Sequence, residues 1–485
     1  MDKLIIINIL MMLFTLDNFI LLSFLTYLLI TSYLDIGKSK NINTYAVGQR
    51  SFTTFALGAT ITATFVSGSG FIMDLENFYK QGWEYLLPSL GMVLGFVLFA
   101  IFIVPKMGRF LGKTSIATIM YEEYGQTTRV ITAILGFTAV CGTISIQFKI
   151  LGRVGNIFYE GWSWQTWSII LGCITTFYTV IGGIRSVVHT DIIQSICFVI
   201  SISFAICLFY FKIPIITYDS FSDANKFHFN IMSIFSLQGD NLRDMLLLGA
   251  YFLIPGMSPT TIQRVSMGFN TWQVTKSYLY SSIFILFIML VSCGISYLAF
   301  EANEGRAVDN VLKYFINQFI IPGSKAIVII GIISMCMSTA DSYINIASVL
   351  LANDTINSLT WNNADKLYFA RWFGIGVGIV AVFLSLFEKD LLSSVLLFRS
   401  FYMPVITVPV LALVFGYKTT TKCCLFTMSV SFLYVLIFKF ILNPDFNIIP
   451  YGVLLNAIVL ISSHYVVEKW ELLKCFGIRS QLKTK

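Results

Sequence analysis

Long apolar runs separated by short polar gaps make up most of this chain of 485 residues. A helix needs about 20 mostly apolar residues to cross the hydrocarbon core of a bilayer. Applied along the chain, this length predicts an all-α polytopic membrane protein with about 13 transmembrane helices. The first run contains Asp17 and is too long for a signal-peptide core, so we expect a retained helix. The predicted spans lie near 12–34, 52–73, 83–105, 128–150, 164–182, 187–211, 245–268, 278–300, 317–350, 367–388, 392–416, 420–442 and 447–466.

Basic residues give these spans an orientation. Lys and Arg collect in the odd-numbered gaps and in the C-terminal tail, whereas acidic residues dilute them in the even-numbered gaps. Cytoplasmic loops of membrane proteins carry an excess of Lys and Arg. We therefore expect the N-terminus outside and the C-terminus in the cytoplasm.

Composition supports the same class. Hydrophobic residues make up 56% of the chain and charged residues only 12%, whereas a soluble domain carries about 25% charged residues. This excludes a soluble enzyme, a nucleic-acid binder and a disordered chain. The nine cysteines and three histidines are scattered, so the sequence predicts neither a metal cluster nor a disulfide framework. No gap is long enough for a second folded domain, so the function must lie inside the helix bundle.

Two predicted spans contain helix-breaking residues in mid-membrane. The second has Gly68-Ser69-Gly70, and the seventh has Pro255-Gly256 and Pro259. Unpaired peptide groups are tolerated at that depth only where protein or a wet cavity satisfies them. Interrupted helices in matching places of two halves are the best sequence pointer to an inverted-repeat transporter with a midplane site. The alternative is that Gly and Pro are simply common in membrane helices.

A polar stripe runs along the ninth predicted span. Its members are spaced four, three, four and three residues apart, so they share one helix face. Hydroxyl and carbonyl oxygens without a cluster of acids suit a dehydrated Na⁺, whereas Ca²⁺ would require several carboxylates. The alternative is hydrogen bonding between helices, which Ser and Thr often provide. The stripe consists of Ser334, Ser338, Asp341, Asn345 and Ser348, with Thr339 and Ser342 beside it.

Two further polar features lie in apolar surroundings. Thr190 and Asp191 stand at the start of the sixth predicted span. In the fourth span, Lys149 and Arg153 are four residues apart and share a face that would attract an anion. The alternative for this pair is that both side chains reach to the membrane interface.

The motifs together resemble the sodium:solute symporter family, which includes bacterial proline, pantothenate, sialic acid and galactose carriers. The resemblance rests on GGIRSVVHTDIIQ at 182–194 and MSTADSYINIAS at 337–348, in that order, and covers nearly the whole chain. The stretch QFKILGR at 147–153 is similar to a segment of the pantothenate and proline carriers, with Lys149 as an addition. Met335 and His189 depart from the residue types common in the family.

The resemblance implies an architecture and a set of site residues. It implies a five-plus-five inverted-repeat (LeuT-like) core at 52–416, an extra helix and cytoplasmic loop at 1–51, and two helices with a basic tail at 417–485. For Na⁺, it implies side-chain oxygens of Ser338 and Thr339, the carbonyl of Met335, and carbonyls near Leu57 and Thr60. Asp191 matches a family acid that affects cation coupling, and we add Asp341 to that role. The implied substrate-binding residues are Thr64, Phe65, Ser67, Gly68, Gln147, Arg153, Tyr251 and Pro255.

We therefore expect a sodium-coupled secondary transporter that imports a small organic solute by alternating access. The expected solute carries a carboxylate, as do an amino acid such as proline, pantothenate or a sugar acid, and Arg153 with Lys149 would attract it. Na⁺ is the coupling ion, and no cofactor, catalytic residue or nucleic acid is expected. We expect a monomer in the bacterial cytoplasmic (inner) membrane, with the bilayer, the solute and Na⁺ as its partners.

Three alternatives remain at this point. A membrane sensor module of symporter-like fold would continue into long soluble signalling domains after the last span. A proton-coupled permease would use Asp191 or Asp341 as its proton carrier, although the Ser338-Thr339 pair argues against it. An intramembrane enzyme would need a base near Ser67, and no His lies on a neighbouring predicted span.

Overall fold

The computed structural model describes residues 16–212, 228–230, 232–303, 305–308, 310–320, 324–355, 362–387, 391–442 and 447–482. These residues are almost entirely helical, and they contain no strand. Three predicted spans include residues outside the described ones: 12–15 at the start of the first, 321–323 in the ninth and 388 at the end of the tenth.

The first half of the chain contains both long membrane helices and short pieces that join them. Short π-helical and 3₁₀ turns at Gly82–Tyr85, Phe99–Ile103, Val104–Lys106 and Gly108–Phe110 continue or connect them. The helices are α1 (Leu16–Leu34), α2 (Ile42–Val47), α3 (Thr54–Phe65), α4 (Gly68–Gln81), α5 (Leu86–Leu98), α6 (Ile116–Tyr124), α7 (Gln126–Phe158) and α8 (Trp164–Lys212).

The second half of the chain likewise contains long membrane helices and short helical pieces. Two helices end in π-helical turns, at Leu350–Thr355 and Ile437–Leu442. The helices are α9 (Met232–Ser236), α10 (Gly239–Leu253), α11 (Pro259–Ser266), α12 (Thr271–Ala302), α13 (Val311–Phe319), α14 (Lys325–Val349), α15 (Asn363–Ser385), α16 (Leu391–Ser400), α17 (Met403–Val414), α18 (Thr421–Leu436) and α19 (Ile449–Leu482).

The number of membrane crossings depends on how broken helices are counted. Within the described residues, nine helices are long and apolar enough to cross a membrane, or ten if the bent pair α16 and α17 is one span. The predicted count of 13 is therefore not established. One reason is that two predicted spans, 164–182 and 187–211, are joined in α8 across Gly183, whose φ of 67° marks a kink. A second reason is that the broken spans are divided into helices too short to pass on length alone.

The helix α14 forms the centre of the bundle. It packs against α7, α8 and α3, and nearly every side chain between Ala326 and Val349 is buried, including seven polar ones. Large apolar side chains instead remain exposed on the outer helices, for example Phe177, Ile283 and Phe383. A polar centre inside an apolar exterior is the reverse of a soluble protein, and it fits a bundle whose outer surface contacts lipid.

Candidate functional site

A cavity of about 220 Å³ lies between the two predicted helix breaks. It is bounded by the end of α3, the start of α4, the segment between α10 and α11, and parts of α7, α12 and α14. Six of the eight predicted substrate-binding residues line it, namely Thr64, Phe65, Ser67, Gln147, Tyr251 and Pro255.

The first break follows from local sequence. α3 ends at Phe65, and Ser67 begins the next helix because its hydroxyl accepts the Gly70 amide at 3.0 Å. Gly68 stands against α14 so closely that a Cβ there would lie 2.1 Å from the Cys336 sulfur. Gly68 therefore supports the site by permitting close packing, and it does not itself line the cavity.

Gln147 on α7 fixes the start of α4. Its amide nitrogen donates to the Ser69 hydroxyl at 2.6 Å, and its amide oxygen accepts the Ser69 backbone N–H at 3.3 Å. One side chain thus satisfies both a hydroxyl and a backbone donor in the broken region. This pairing ties the cavity wall on α7 to the first break.

The second break lies between α10 and α11. α10 ends at Leu253, and Ser258 caps α11 by accepting the Thr261 amide at 3.1 Å, with Pro259 at the first helical position. The Tyr402 hydroxyl donates to the Met257 carbonyl at 2.6 Å across the break. The unwound backbone is therefore held by side chains of the surrounding protein.

Hydroxyl and carbonyl oxygens converge where α14 passes the end of α3. The Ser338 hydroxyl lies 3.0 Å from the Ala63 carbonyl oxygen and 3.2 Å from that of Met335. The Thr339 hydroxyl lies 3.3 Å from the carbonyl oxygens of Ala63 and Thr64, and 3.0 Å from that of Met335. The carbonyls of Ala63 and Thr64 belong to the last turn of α3, where helical carbonyls lack an intrahelical partner. The group is a set of neutral oxygens of the kind that coordinates Na⁺ at half-helix ends.

The structure brings Ser338, Thr339 and Met335 together as the resemblance implies, but it brings a different part of α3 to them. Leu57 and Thr60 lie one to two turns earlier than Ala63 and Thr64. The Thr60 carbonyl accepts the Thr64 hydroxyl at 2.6 Å, and the Thr60 hydroxyl donates to Asp191. The roles of all five residues in Na⁺ binding remain predictions.

A charged network lies beside these oxygens and is fully buried. Arg264 on α11 has a guanidinium nitrogen 3.6 Å from the Asp191 carboxylate, and it donates to the Thr64 hydroxyl at 2.7 Å and to the Ser342 hydroxyl. The second carboxylate oxygen of Asp191 has no hydrogen-bond partner among the described residues. Arg264 thus connects α11 to both α3 and α14, next to the first helix break.

Asp341 is the second carboxylate of this network. It accepts a hydrogen bond from the Tyr178 hydroxyl at 2.9 Å, and the Thr190 and Ser342 hydroxyls lie 3.4 Å from its oxygens. Two carboxylates and one guanidinium carry a net charge of −1 if all are ionised. An additional cation or proton would neutralise this buried region.

The two basic residues predicted on α7 lie apart from the cavity. Lys149 is buried and donates to the Phe387 carbonyl at 3.1 Å. Arg153 is partly exposed and does not line the cavity. The basic residue that does line it is Arg399 at the end of α16, and Asp74 on α4 is an acidic one.

Arg399 and Asp74, like Arg264, have no place among the predicted site residues. A signal was present, because an ionisable residue within a transmembrane segment is by default a candidate for function. Arg399 falls in the predicted span 392–416 and Asp74 directly follows the predicted span 52–73.

Solved structures share this architecture. One of a Na⁺-coupled sialic acid symporter, substrate-bound and outward-open, matches with a TM-score of 0.76 and 17% identity over 94% of this chain and 97% of that chain. MhsT in complex with L-phenylalanine matches with a TM-score of 0.55 and 16% identity over 83% of this chain and 98% of that chain. At these identities the likeness concerns the fold, and it confirms the predicted LeuT-like all-α class.

Curated relatives are matched over smaller parts of their length. The human sodium/iodide cotransporter is 26% identical over 33% of this chain and 24% of its own. The sodium/pantothenate symporter of Escherichia coli K12 is 30% identical over 33% of this chain and 34% of its own. Across the first three relatives the match spans 24% to 61% of their length.

The whole core is matched by one family. The model described as "Sodium:solute symporter family" covers residues 45–430. This family and the matched relatives are transporters, which confirms the prediction that the chain is not an enzyme, and the apolar helices agree with a multi-pass membrane protein. The chain therefore belongs to the sodium:solute symporter family.

Proposed function

We propose that this protein is a symporter that uses a Na⁺ gradient to import a small, carboxylate-bearing organic solute by alternating access. The observation that carries the proposal is the position of Ser338 and Thr339 against the carbonyls of Ala63 and Thr64. These oxygens stand at the first helix break, and Thr64 and Thr339 also line the cavity. A cation bound there would connect α14 to the end of α3 beside the solute.

Coupling follows from this shared position. Na⁺ would replace the hydroxyl-to-carbonyl hydrogen bonds with ion–oxygen contacts and hold α3 and α14 in one arrangement. That arrangement favours the cavity in its solute-binding shape, so ion and solute each raise the other's affinity. Loss of Na⁺ to the low-sodium side would release the two helices and then the solute.

The remaining expectations belong to the same proposal. We propose a bacterial cytoplasmic membrane location with the N-terminus outside, which rests on the distribution of Lys and Arg in the gaps. We propose that the protein acts as a monomer, because a single chain contains both helix breaks and the cavity between them. We propose the division into a core at 52–416 with flanking segments, and a family match at 45–430 that contains this core supports it.

The test replaces the two hydroxyls together. We expect Ser338→Ala with Thr339→Ala to weaken Na⁺ affinity at least tenfold, because two of the side-chain oxygens are lost. The measurement is the melting temperature of purified protein in NaCl against N-methyl-D-glucamine chloride. A ligand that binds only the folded state raises the melting temperature by an amount that grows with the logarithm of its concentration divided by its Kd. Na⁺ affinity can therefore be compared over a NaCl concentration series without a known solute.

Ser292→Ala is the matched control, since among the described residues that buried hydroxyl bonds only to the Ile288 carbonyl in its own helix. It should leave the Na⁺ effect unchanged. An Na⁺ effect of wild-type size in the double variant, with the protein folded, would contradict the proposed ion site.

A proton-coupled permease is the second candidate, and the buried pair Asp191 and Asp341 favours it. Their excess negative charge over Arg264 can be balanced by a proton as well as by Na⁺. If proton coupling operates, Asp191→Asn should abolish uptake driven by a pH gradient, and an Na⁺ gradient should have no effect in the wild type. Uptake from a panel of labelled amino acids, vitamins and sugar acids into proteoliposomes separates the two cases.

A further inference from the structure

Two charged side chains line the cavity without an ion-pair partner in the part of the chain that the structure describes. Arg399 lies at the end of α16 and Asp74 in the second turn of α4. The ion pairs found within 4 Å among the described residues include neither of them. Charged groups at membrane depth are costly, and they almost always pair with one another, face a cavity or bind a ligand.

Tyrosines hold Arg399 in place while leaving most of its donors available. One guanidinium nitrogen donates to the Tyr251 hydroxyl at 3.0 Å, and Tyr343 interacts with the same group. A guanidinium has five N–H donors in a planar fork that matches a carboxylate. The donors left over can therefore receive a carboxylate in the two-point geometry that Arg favours.

Asp74 is held in a similar way by a different tyrosine. The Tyr85 hydroxyl donates to one carboxylate oxygen at 3.0 Å. An ionised carboxylate offers about four acceptor positions over its two oxygens. The second oxygen can thus accept N–H donors from a ligand in the cavity.

The separation of these two groups is informative. Opposite charges in a low-dielectric region attract strongly, yet Arg399 and Asp74 do not form a pair. Separate tyrosines fix each of them in the wall of the same cavity. A molecule that carries both an anionic and a cationic group would compensate both charges at once.

The remaining cavity-lining residues indicate the size and polarity of the part of the molecule between its charged groups. Most of the lining is apolar, and it includes the aromatic rings of Phe65, Phe96, Phe99, Phe252 and Tyr278. The volume of about 220 Å³ lies below the range of about 300–1,000 Å³ that is typical of ligand pockets. The cavity therefore suits one small molecule with a compact apolar frame.

The geometry points to an amphoteric solute, with its carboxylate on Arg399, its ammonium on Asp74 and an apolar frame against the aromatic wall. An apolar α-amino acid has this chemistry. The inference rests on the proposed function and gives that cavity its substrate class. Arg399 then makes the contact with the solute carboxylate that the sequence had predicted for Arg153.

The test uses matched ligands that differ in one charged group. L-Leucine and L-phenylalanine carry both groups, 4-methylpentanoate and 3-phenylpropionate carry only the carboxylate, and 3-methylbutylamine and phenethylamine carry only the ammonium. Binding to purified full-length protein in NaCl is measured by the shift in melting temperature over a concentration series. We expect at least one amino acid to bind at least tenfold more tightly than both of its analogues.

Two variants test which side chain contacts each charged group of the ligand. Arg399→Gln should weaken binding of the amino acid at least tenfold and remove its advantage over the amine. Asp74→Asn should remove its advantage over the carboxylate analogue and keep its advantage over the amine. Arg153→Gln is the matched control and should bind like the wild type. A purely structural effect would weaken all ligands alike and leave the ratios unchanged.

The outcomes separate this inference from the proposed function. If neither amino acid binds, or if a singly charged analogue binds as tightly, the inference is overturned even where Na⁺ alone stabilises the protein. Unaltered ratios in both folded variants also overturn it. If the amino acid binds with the expected ratios and Na⁺ has no effect on protein or binding, the substrate class stands and the sodium coupling fails.

Discussion

Arg264 shows at the scale of single residues how this core balances charge. Its guanidinium is completely buried and lies between α11, α3 and α14, within reach of Asp191, Thr64 and Ser342. A buried ion pair gains little over an apolar replacement, but the loss of one partner leaves an uncompensated charge. Arg264 therefore determines how much negative charge the region beside the proposed ion site carries.

We expect Arg264→Gln to destabilise the protein by about 3 kcal/mol, since the removal of one partner of a buried pair costs about 3–5 kcal/mol. Adding Asp191→Asn should recover part of that loss, because the double variant no longer contains the unpaired carboxylate. Unfolding free energies of the wild type, both single variants and the double variant give the coupling between the two side chains. Additive effects would show that the two groups do not interact.

Arg129 provides a comparison of the same kind away from the cavity. Its guanidinium bonds to the buried Asp354 at 2.9 Å, in a cluster between α7 and the turn after α14. Arg129→Gln should cost similar stability. It should leave the dependence of the melting temperature on Na⁺ intact, whereas Arg264→Gln should alter that dependence.

At the scale of the helices, the sequence predicted where the membrane spans break but not how the pieces meet. Gly68 and Pro255 marked both breaks correctly, because glycine and proline weaken a helix wherever they occur. The last turn of α3 was not placed by the sequence, where no glycine or proline marks its end; α3 ends at Phe65 with Val66 as its C-cap, and Ser67 caps the start of α4. Which helix face borders the cavity is decided by packing between distant segments, so the sequence alone did not show that Arg399 lines the cavity and Arg153 does not.

Close packing at the first break gives a test at this scale. We expect Gly68→Ala to lower stability by about 1–3 kcal/mol, the usual cost of overpacking, because the new Cβ would meet the Cys336 sulfur and would lie 3.3 Å from the Ile332 carbonyl oxygen. It should also weaken the Na⁺ effect on melting, since it pushes α4 and the end of α3 away from α14. Adding Cys336→Ala to Gly68→Ala should restore part of the stability and part of the Na⁺ effect on melting.

The control is another glycine inside a membrane helix. A Cβ added at Gly294 in α12 would meet no other atom within 4 Å, and alanine favours a helix over glycine by up to ~1 kcal/mol. Gly294→Ala should therefore be neutral or stabilising. If Gly68→Ala and Gly294→Ala lower the stability equally, Gly68 is not required for the close packing of α4 against α14.

In the whole molecule, polar side chains are buried at the centre and large apolar side chains are exposed on the outside, the reverse of a soluble protein. The composition predicted a protein of this class. The low charge content and the regular apolar runs were sufficient for an all-α membrane bundle. They were not sufficient for the count of crossings, because Gly183 joins two apolar runs in one kinked helix and because broken spans divide into short pieces. The proposed substrate class rests on a few charged residues, and their mutual placement exists only in the folded bundle.

Charge balance over the whole transport cycle gives the last prediction. An amphoteric solute has no net charge, so its import with Na⁺ moves at least one positive charge across the membrane. An inside-negative potential should therefore stimulate uptake, because each charge gains about 2.3 kcal/mol per 100 mV. A singly charged carboxylate moving with one Na⁺ would be electroneutral and insensitive to potential. The measurement is uptake of labelled L-leucine and L-phenylalanine into proteoliposomes, with an inward Na⁺ gradient and a potassium diffusion potential set by valinomycin. Protein-free liposomes and the Asp74→Asn variant are the controls. Uptake that requires Na⁺ but does not respond to the potential would contradict the transport of a neutral amphoteric solute with a cation.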